Sequence, residues 1–322
     1  MTKPQNFHPS HIVVDWGTTS LRAFLISPDG TIGDRMESER GIQFIADDAY
    51  EAELTTAISG WIDTYGILPI LALGMVTSRN GWVEVPYVSC PATPADLAKG
   101  IVSRHLTNGC PVLLLPGITD PARTPFPDVM RGEETQIVGF GLDKDICVVL
   151  PGTHSKWARI GDGRIQGFQT FVTGEIFALL SKHSFIAKAA GDETGAMDWA
   201  AFDRGAEQAG RALPETDALL SLLFSARTGI LAGQMAATET RDYISGLLIG
   251  HEFRQADLCG WIDRQAEIGG EIGIVGNDGL NDRYERVARS LNLTVRKGRE
   301  EAAIDGALAI ASHRKSKITH AA

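Results

Sequence analysis

Asp15 closes the apolar run Ile12-Val13-Val14, and Trp16 and the small, hydroxyl-rich stretch Gly17-Thr18-Thr19-Ser20 follow it before apolar residues resume at Leu21. Two short apolar runs joined in this way read as a β-hairpin. Its tip offers backbone N–H groups beside Gly17, and the hydroxyls of Thr18, Thr19 and Ser20, to oxyanions. An acid at the foot of such a turn is placed to meet the Mg2+ that accompanies phosphates. The stretch alone fits an ordinary polar-tipped hairpin equally well. A second copy of the pattern weighs against that reading: the apolar run 146–150 leads into Pro151-Gly152-Thr153-His154-Ser155-Lys156, and another strand follows. Two such turns, one in each half of the chain, would face each other across a cleft.

The rest of the sequence has to position these turns. Strand-like runs at 12–16, 21–27, 70–74, 112–115, 146–150, 168–172 and 272–276 alternate with helix-like segments at 49–65, 94–105, 174–188, 199–209, 215–225, 239–254, 280–291 and 301–312. This alternation predicts an α/β fold. With 322 residues there is material for two domains, each with its own core. The segment 116–130 carries Pro116, Gly117, Pro121, Pro125 and Pro127, a composition that opposes regular structure and suits a crossing between domains 1–130 and 131–322.

Composition excludes several functions. A net charge of -10 argues against a surface for nucleic acid or an anionic membrane, and the one basic cluster, Arg314, Lys315 and Lys317, reads as a solvated terminus. The apolar stretch Ile67 to Val76 is too short to span a bilayer. Cys90, Cys110, Cys147 and Cys259 form no CxxC pair or metal-ligand spacing and read as reduced, mostly buried thiols. A cytoplasmic protein is expected, with which a homodimer is compatible. There is no Walker-type P-loop, and the Gly139-Phe140-Gly141 and Gly161-Asp162-Gly163 pairs read as turns rather than dinucleotide fingerprints.

Six segments, taken in order, resemble the 2-dehydro-3-deoxygalactonokinases of the actin-like ATPase and sugar-kinase superfamily. They are Asp15 to Arg22, Gly74 to Trp82, Met130 to Gln136, Leu150 to Trp157, Thr170 to Glu175, and Val275 to Leu280. The resemblance implies two RNase H-like domains flanking a nucleotide cleft, and domain closure over ATP and Mg2+. It further implies transfer of phosphate to the 6-hydroxyl of 2-dehydro-3-deoxy-D-galactonate, a small sugar acid. A kinase of another sugar or sugar acid on the same fold, or a non-catalytic nucleotide sensor, are the alternatives.

Superfamily members usually take the general base from an Asp in a segment shortly before the second phosphate turn. Here Gly132-Glu133-Glu134-Thr135-Gln136 holds that place, so Glu133 is the expected base and Glu134 its rival; two acids at a helix N-terminus also answer to the helix dipole alone. Asp15, Glu133 and Lys156 form the expected catalytic set, with Lys156 neutralising charge on the γ-phosphate or meeting the substrate acid. Gly17, Thr18, Thr19, Gly152 and Thr153 would hold phosphates, while Gly276, Asn277 and Gly279 would contact adenosine. For the acid substrate, Arg79 is the first candidate for the carboxylate, with Arg131, Lys156 and Arg22 as alternatives. Ser78, Asn80, Glu84, Trp82 and Glu175 complete the expected sugar contacts. His154 has no spaced partner and reads as structural. The small-residue helix containing Asp305 and Gly306 would lie near the ribose.

Overall fold

The computed structural model describes residues 7–190, 196–211, 219–263, 270–299 and 301–314. It divides into two compact units: Met1–Asp145, Ile160–Gly167 and Arg299–Ala322 form unit 1, and Ile146–Arg159 with Phe168–Gly298 form unit 2. The division falls after Asp145, not after the Pro-rich segment.

Along unit 1 run β1 (His11–Trp16), β2 (Leu21–Ile26), β3 (Ile32–Ser38), α1 (Tyr50–Tyr65), β4 (Ile70–Leu73), β5 (Val88–Ser89), α2 (Pro94–Lys99), β6 (Val102–His105), β7 (Pro111–Leu114), β8 (Ile118–Asp120), β9 (Asp128–Met130) and α3 (Glu133–Phe140). Six of the strands make one sheet in the order β3-β2-β1-β4-β7-β6. β1, β2 and β3 form an antiparallel meander, and β4 and β7 then add in parallel to β1. The central strands have apolar middles: Ile12, Val13, Val14, Ile70 and Leu71 are fully buried, as expected where both faces are covered. The edge strand β3 instead exposes Asp34, Arg35 and Glu37, which discourages pairing with another chain. Helix α1 lays Tyr50, Leu54, Ile58 and Trp61 on the sheet at helical spacing, with Tyr50 edge-on to Trp16.

Unit 2 contains β10 (Ile146–Leu150), most of β11 (Ser155–Gly161), the second half of β12 (Arg164–Phe171), α4 (Thr173–His183), α5 (Phe185–Ala190), α6 (Trp199–Arg211), α7 (Leu219–Leu231), α8 (Thr240–Leu258), β13 (Glu271–Ile274), α9 (Asp278–Ser290) and β14 (Thr294–Lys297); the tip of the β11–β12 hairpin and α10 (Ala302–Ser312) belong to unit 1. Its sheet order, β12-β11-β10-β13-β14, reproduces the first five strands of unit 1. β13 is parallel to β10 and β14 to β13. β11 and β12 are joined by Asp162-Gly163, both at positive φ (52° and 70°), the twist a two-residue hairpin requires. Each unit is therefore an RNase H-like meander extended by parallel strands, and the α/β reading stands.

Each unit also contains a pair of helices crossing with their backbones in contact. In unit 1 a Cβ on Gly139 would lie 1.8 Å from the Ala302 carbonyl oxygen, and one on Gly306 would lie 1.8 Å from that of Thr135. In unit 2 the reciprocal glycines are Gly205, against Tyr243, and Gly246, against Phe202. Gly306 thus serves the α3–α10 crossing, the close packing expected of this small-residue helix.

Other expectations change for local reasons. The 94–105 helix ends at Lys99, and the chain continues as β6; its start, with the Thr93–Asp96 capping box and Pro94 in the first turn, is the one the sequence predicts. The 174–188 helix breaks at Ser184, whose Oγ accepts from the N–H groups of Ile186 and Ala187 and starts α5. The 116–130 segment is not wholly irregular: β8 and β9 pair with each other, and Pro121, Pro125 and Pro127 fall in their connection. Cys110 and Cys147 are buried, Cys90 is half-buried and Cys259 exposed. Residues 215–218, Lys315 and Lys317 lie outside the described residues. Among the described residues no helix is long and apolar enough to cross a membrane.

Candidate active site

In unit 1, Asp15 stands at the end of β1 directly opposite Arg22 on β2, and the two form an ion pair. The turn after it is closed by Gly17 N–H donating to Ser20 O at 2.9 Å, and Thr18 and Thr19 are exposed at its tip. A second segment braces it from behind. Gly41, Ile42 and Gln43 donate their N–H groups to the carbonyls of Thr19, Gly17 and Thr18 at 3.1, 3.0 and 3.2 Å. Those three carbonyls, which would repel a phosphate, are thereby tied back. A Cβ on Gly41 would lie 2.3 Å from Thr18 O and Thr19 N, so only glycine permits the approach. Gly41 was not among the expected site residues, and nothing in its local sequence marks it.

Two glycines in the left-handed region bring three separate segments together. Gly74, at φ 85°, packs on the end of β1: a Cβ there would sit 3.1 Å from Asp15 Oδ1 and 2.9 Å from Trp16 O. Gly132, at φ 105°, packs on Gly74, its missing Cβ lying 3.4 Å from Gly74 Cα. Gly132 is also the residue before α3. The foot of the phosphate turn, the start of the 74–82 segment and the acids of α3 are consequently neighbours within unit 1.

The structure separates the two acids that the sequence left open. Glu133 is half-buried, and its Oε2 accepts the Arg131 N–H at 3.0 Å. Glu134 points inward, 1 % exposed, with Oε2 accepting Gly132 N–H at 2.7 Å and Oε1 accepting the Thr135 hydroxyl at 2.9 Å. Burial first, and the neighbouring Glu133 second, push the Glu134 carboxyl up to about 8. Because the folded value exceeds the ordinary 4.5, the folded chain holds this proton while the unfolded chain releases it. Stability should therefore fall as pH rises from about 4.5 to about 8 and level off above that, a loss of a few kcal/mol. Glu134→Gln is expected to flatten the slope and to be the more stable form at pH 8. Urea unfolding of both proteins at pH 5 and pH 8 checks this, and parallel slopes would refute it.

Arg131 is buried and committed. Its Nη1 donates to Thr77 Oγ1 and its Nη2 to Val85 O, both at 2.8 Å, and its guanidinium lies 4.2 Å over the Tyr87 ring. It clamps the 77–87 segment to the start of α3, so its part is positioning. Arg79 and Asn80 are exposed on that segment, as is Glu84. Ser78 is buried, and its Oγ has no hydrogen-bond partner among the described residues. Trp82 is half-buried and packs against the unit 1 core, which accounts for part of its ring.

Unit 2 assembles its turn from similar parts. Gly152 and Thr153 lead into β11, and Gly174 presses on them: a Cβ there would be 2.3 Å from Gly152 O. Glu175 N–H donates to Thr153 O at 2.9 Å, and the Glu175 carboxylate meets His154 Nε2 at 2.6 Å. His154, which the sequence leaves without a spaced partner, thus has one in Glu175. Lys156 is buried, with Nζ donating to Thr170 Oγ1 on the neighbouring strand at 2.8 Å, so its amine is turned into the β11–β12 hairpin. Gly276 lies beside the turn, its missing Cβ 3.4 Å from Pro151 Cδ. Asn277 caps α9 by accepting the Leu280 N–H at 3.0 Å, and Asn277 and Gly279 are exposed. Asn281 was not foreseen; it is buried, donates to Gly276 O at 2.7 Å, and its Oδ1 has no partner among the described residues.

No group of three or more His, Cys, Asp or Glu among the described residues is placed to hold a metal by itself. Asp15 is the carboxylate at the first turn, and its Oδ1 faces the space a Cβ on Gly74 would fill. A single carboxylate suits Mg2+, which keeps several waters and is carried by phosphates.

Known proteins resemble this chain along nearly its whole length. The family described as 2-keto-3-deoxy-galactonokinase matches residues 15–310. The chain is 33% identical over 307 residues to a protein of Rhizobium meliloti (strain 1021) named probable 2-dehydro-3-deoxygalactonokinase, covering 94% of this chain and 96% of that one. It is 32% identical over 286 residues to the 2-dehydro-3-deoxygalactonokinase of Escherichia coli (strain K12), covering 88% and 91%. A solved structure from Sinorhizobium meliloti with a name of the same kind superposes with a TM-score of 0.81 at 32% identity, covering 94% of this chain and 98% of that one. With a match over nearly its whole length, this chain belongs to the 2-keto-3-deoxy-galactonokinase family.

Proposed function

We propose that this chain transfers the γ-phosphoryl group of ATP to the 6-hydroxyl of 2-dehydro-3-deoxy-D-galactonate, with Mg2+ as the accompanying ion. The observation that carries the reading is the contact of Gly132 with Gly74, and of Gly74 with Asp15, which sets Glu133 beside a phosphate-type turn. In the reaction the 6-hydroxyl oxygen bonds to the γ-phosphorus, the bond to the β-phosphate oxygen breaks, and ADP leaves. Glu133, the less buried of the two acids, takes the hydroxyl proton. The N–H and hydroxyl groups at Thr18 and Thr19, in the turn that Gly17 closes, donate to phosphate, as do those at Gly152 and Thr153 in the second turn. Mg2+ neutralises phosphate charge when bound, and Asp15 is the residue that would hold it through water. Gly276, Asn277 and Gly279 form the adenosine surface. Lys156 supports the second turn from its buried place on Thr170 and adds positive potential there.

The sugar acid falls to the 78–82 segment. Arg79 is exposed and offers two parallel donors to the C1 carboxylate, while the unpartnered Ser78 hydroxyl and the Asn80 amide serve its hydroxyls. Trp82 borders them, and Arg131 holds the segment in place. A coupled ADP-release assay tests the reading on the galacto acid, its gluco epimer and neutral sugars. Turnover with the galacto acid is expected, and neutral sugars alone as substrates would refute it. In the same assay Arg79→Ala should raise the KM for the acid by about 10- to 100-fold with the KM for ATP unchanged. An unchanged KM for the acid would remove Arg79 from the site.

A further inference from the structure

Glu252 sits in the middle of α8, 2 % exposed, at a position the phosphoryl-transfer scheme does not use. Its carboxylate meets four uncharged donors. Ser155 Oγ and Trp157 Nε1 donate to Oε1, and the Tyr284 hydroxyl donates to Oε2, all at 2.7 Å. The Thr173 hydroxyl is the fourth. An indole N–H only donates, so Oε1 must accept, and the arrangement suits a carboxylate with its lone pairs filled by the protein. Burial pushes this carboxyl up while the four bonds pull it down.

The donors come from different parts of the apparatus assigned to the nucleotide. Ser155 follows the Gly152-Thr153 turn and opens β11. Thr173 precedes Gly174 and Glu175, which brace that turn from behind. Tyr284 lies on α9, whose first turn carries Asn277 and Gly279. One buried side chain thus ties the phosphate turn, its brace and the adenosine helix to α8. A buried carboxylate is costly to maintain, and shape alone could be filled by an apolar residue.

We infer that Glu252 is a positioning residue for the nucleotide, holding the second phosphate turn and the adenosine segment in one register. The inference rests on the nucleotide reading proposed above. Its consequence is a split: loss of Glu252 weakens the nucleotide and leaves the sugar acid alone, because the acid-binding candidates Ser78, Arg79 and Asn80 belong to unit 1.

The test uses the full chain with Glu252→Gln, which keeps the side-chain shape but sets an amide N–H against donors, and Tyr284→Phe, which removes one donor and keeps the ring. Binding of a non-hydrolysable ATP analogue by calorimetry and the KM for each substrate are measured beside thermal stability. Glu252→Gln is expected to weaken nucleotide binding and raise the KM for ATP by about tenfold or more, and Tyr284→Phe by about threefold, with the KM for the acid unchanged. Should Glu252→Gln fail to fold, Tyr284→Phe and Ser155→Ala carry the same comparison. Variants that lose stability yet bind nucleotide as the wild type does, or that shift both KM values equally, would overturn the inference alone. A wild-type chain that binds no nucleotide would overturn the proposed function and this inference together.

Discussion

Glu133→Gln is expected to lower kcat by about 100- to 10,000-fold while nucleotide affinity stays within about twofold of the wild type. The amide keeps the side-chain length and can still accept the Arg131 N–H through its oxygen, so the start of α3 keeps its local bond. What it loses is the capacity to take a proton. Glu134 cannot stand in, because both of its oxygens are occupied by Gly132 N–H and the Thr135 hydroxyl beneath the surface. The contrast between the two acids is therefore the sharper part of the result. Glu134→Gln should change stability and its pH dependence with a much smaller effect on turnover. Steady-state kinetics with both substrates saturating, alongside nucleotide binding, reads the difference. A kcat for Glu133→Gln within about threefold of the wild type would place the base elsewhere.

Asp15→Asn is expected to reduce kcat by about 100-fold and to raise the Mg2+ concentration needed for half-maximal rate. Asp15 is 18% exposed and already neutralises Arg22, whose guanidinium is 35% exposed. Removing its charge weakens one accessible ion pair, which costs little, so stability should change by no more than about 1 kcal/mol. A titration of activity against Mg2+ separates the two effects. Unchanged Mg2+ dependence would assign Asp15 to holding Arg22 alone.

Much of this arrangement is legible in the sequence where local chemistry and tertiary structure ask for the same residues. The hairpin around Gly17 to Ser20 is one such place, since apolar β-branched runs and a small polar turn admit few other conformations. The start of α2 at Pro94 is another. Edge strands are harder to read: β3 and β14 carry the charges that protect a sheet edge, and those charges erase the apolar signal. Helix α10 is legible as a helix of small residues, but which partner it meets depends on Gly139 and Gly306 fitting each other's backbones across a long stretch of chain. The choice between Glu133 and Glu134 also lies beyond the sequence. Adjacent residues of one type differ only in which way the helix turns them, and only the fold shows which is the more buried. Gly41 and Glu252 act through contacts distant in sequence, and neither belongs to a local motif.

The central claim is the transfer of phosphate to one particular hydroxyl. It is tested most directly by phosphorus NMR of the product formed from ATP, Mg2+ and 2-dehydro-3-deoxy-D-galactonate. The account predicts one phosphomonoester per ADP released, its phosphorus signal coupled to the two methylene protons at C6. Inorganic phosphate as the only new signal beside those of ADP, or an ester on a secondary carbon, would contradict it.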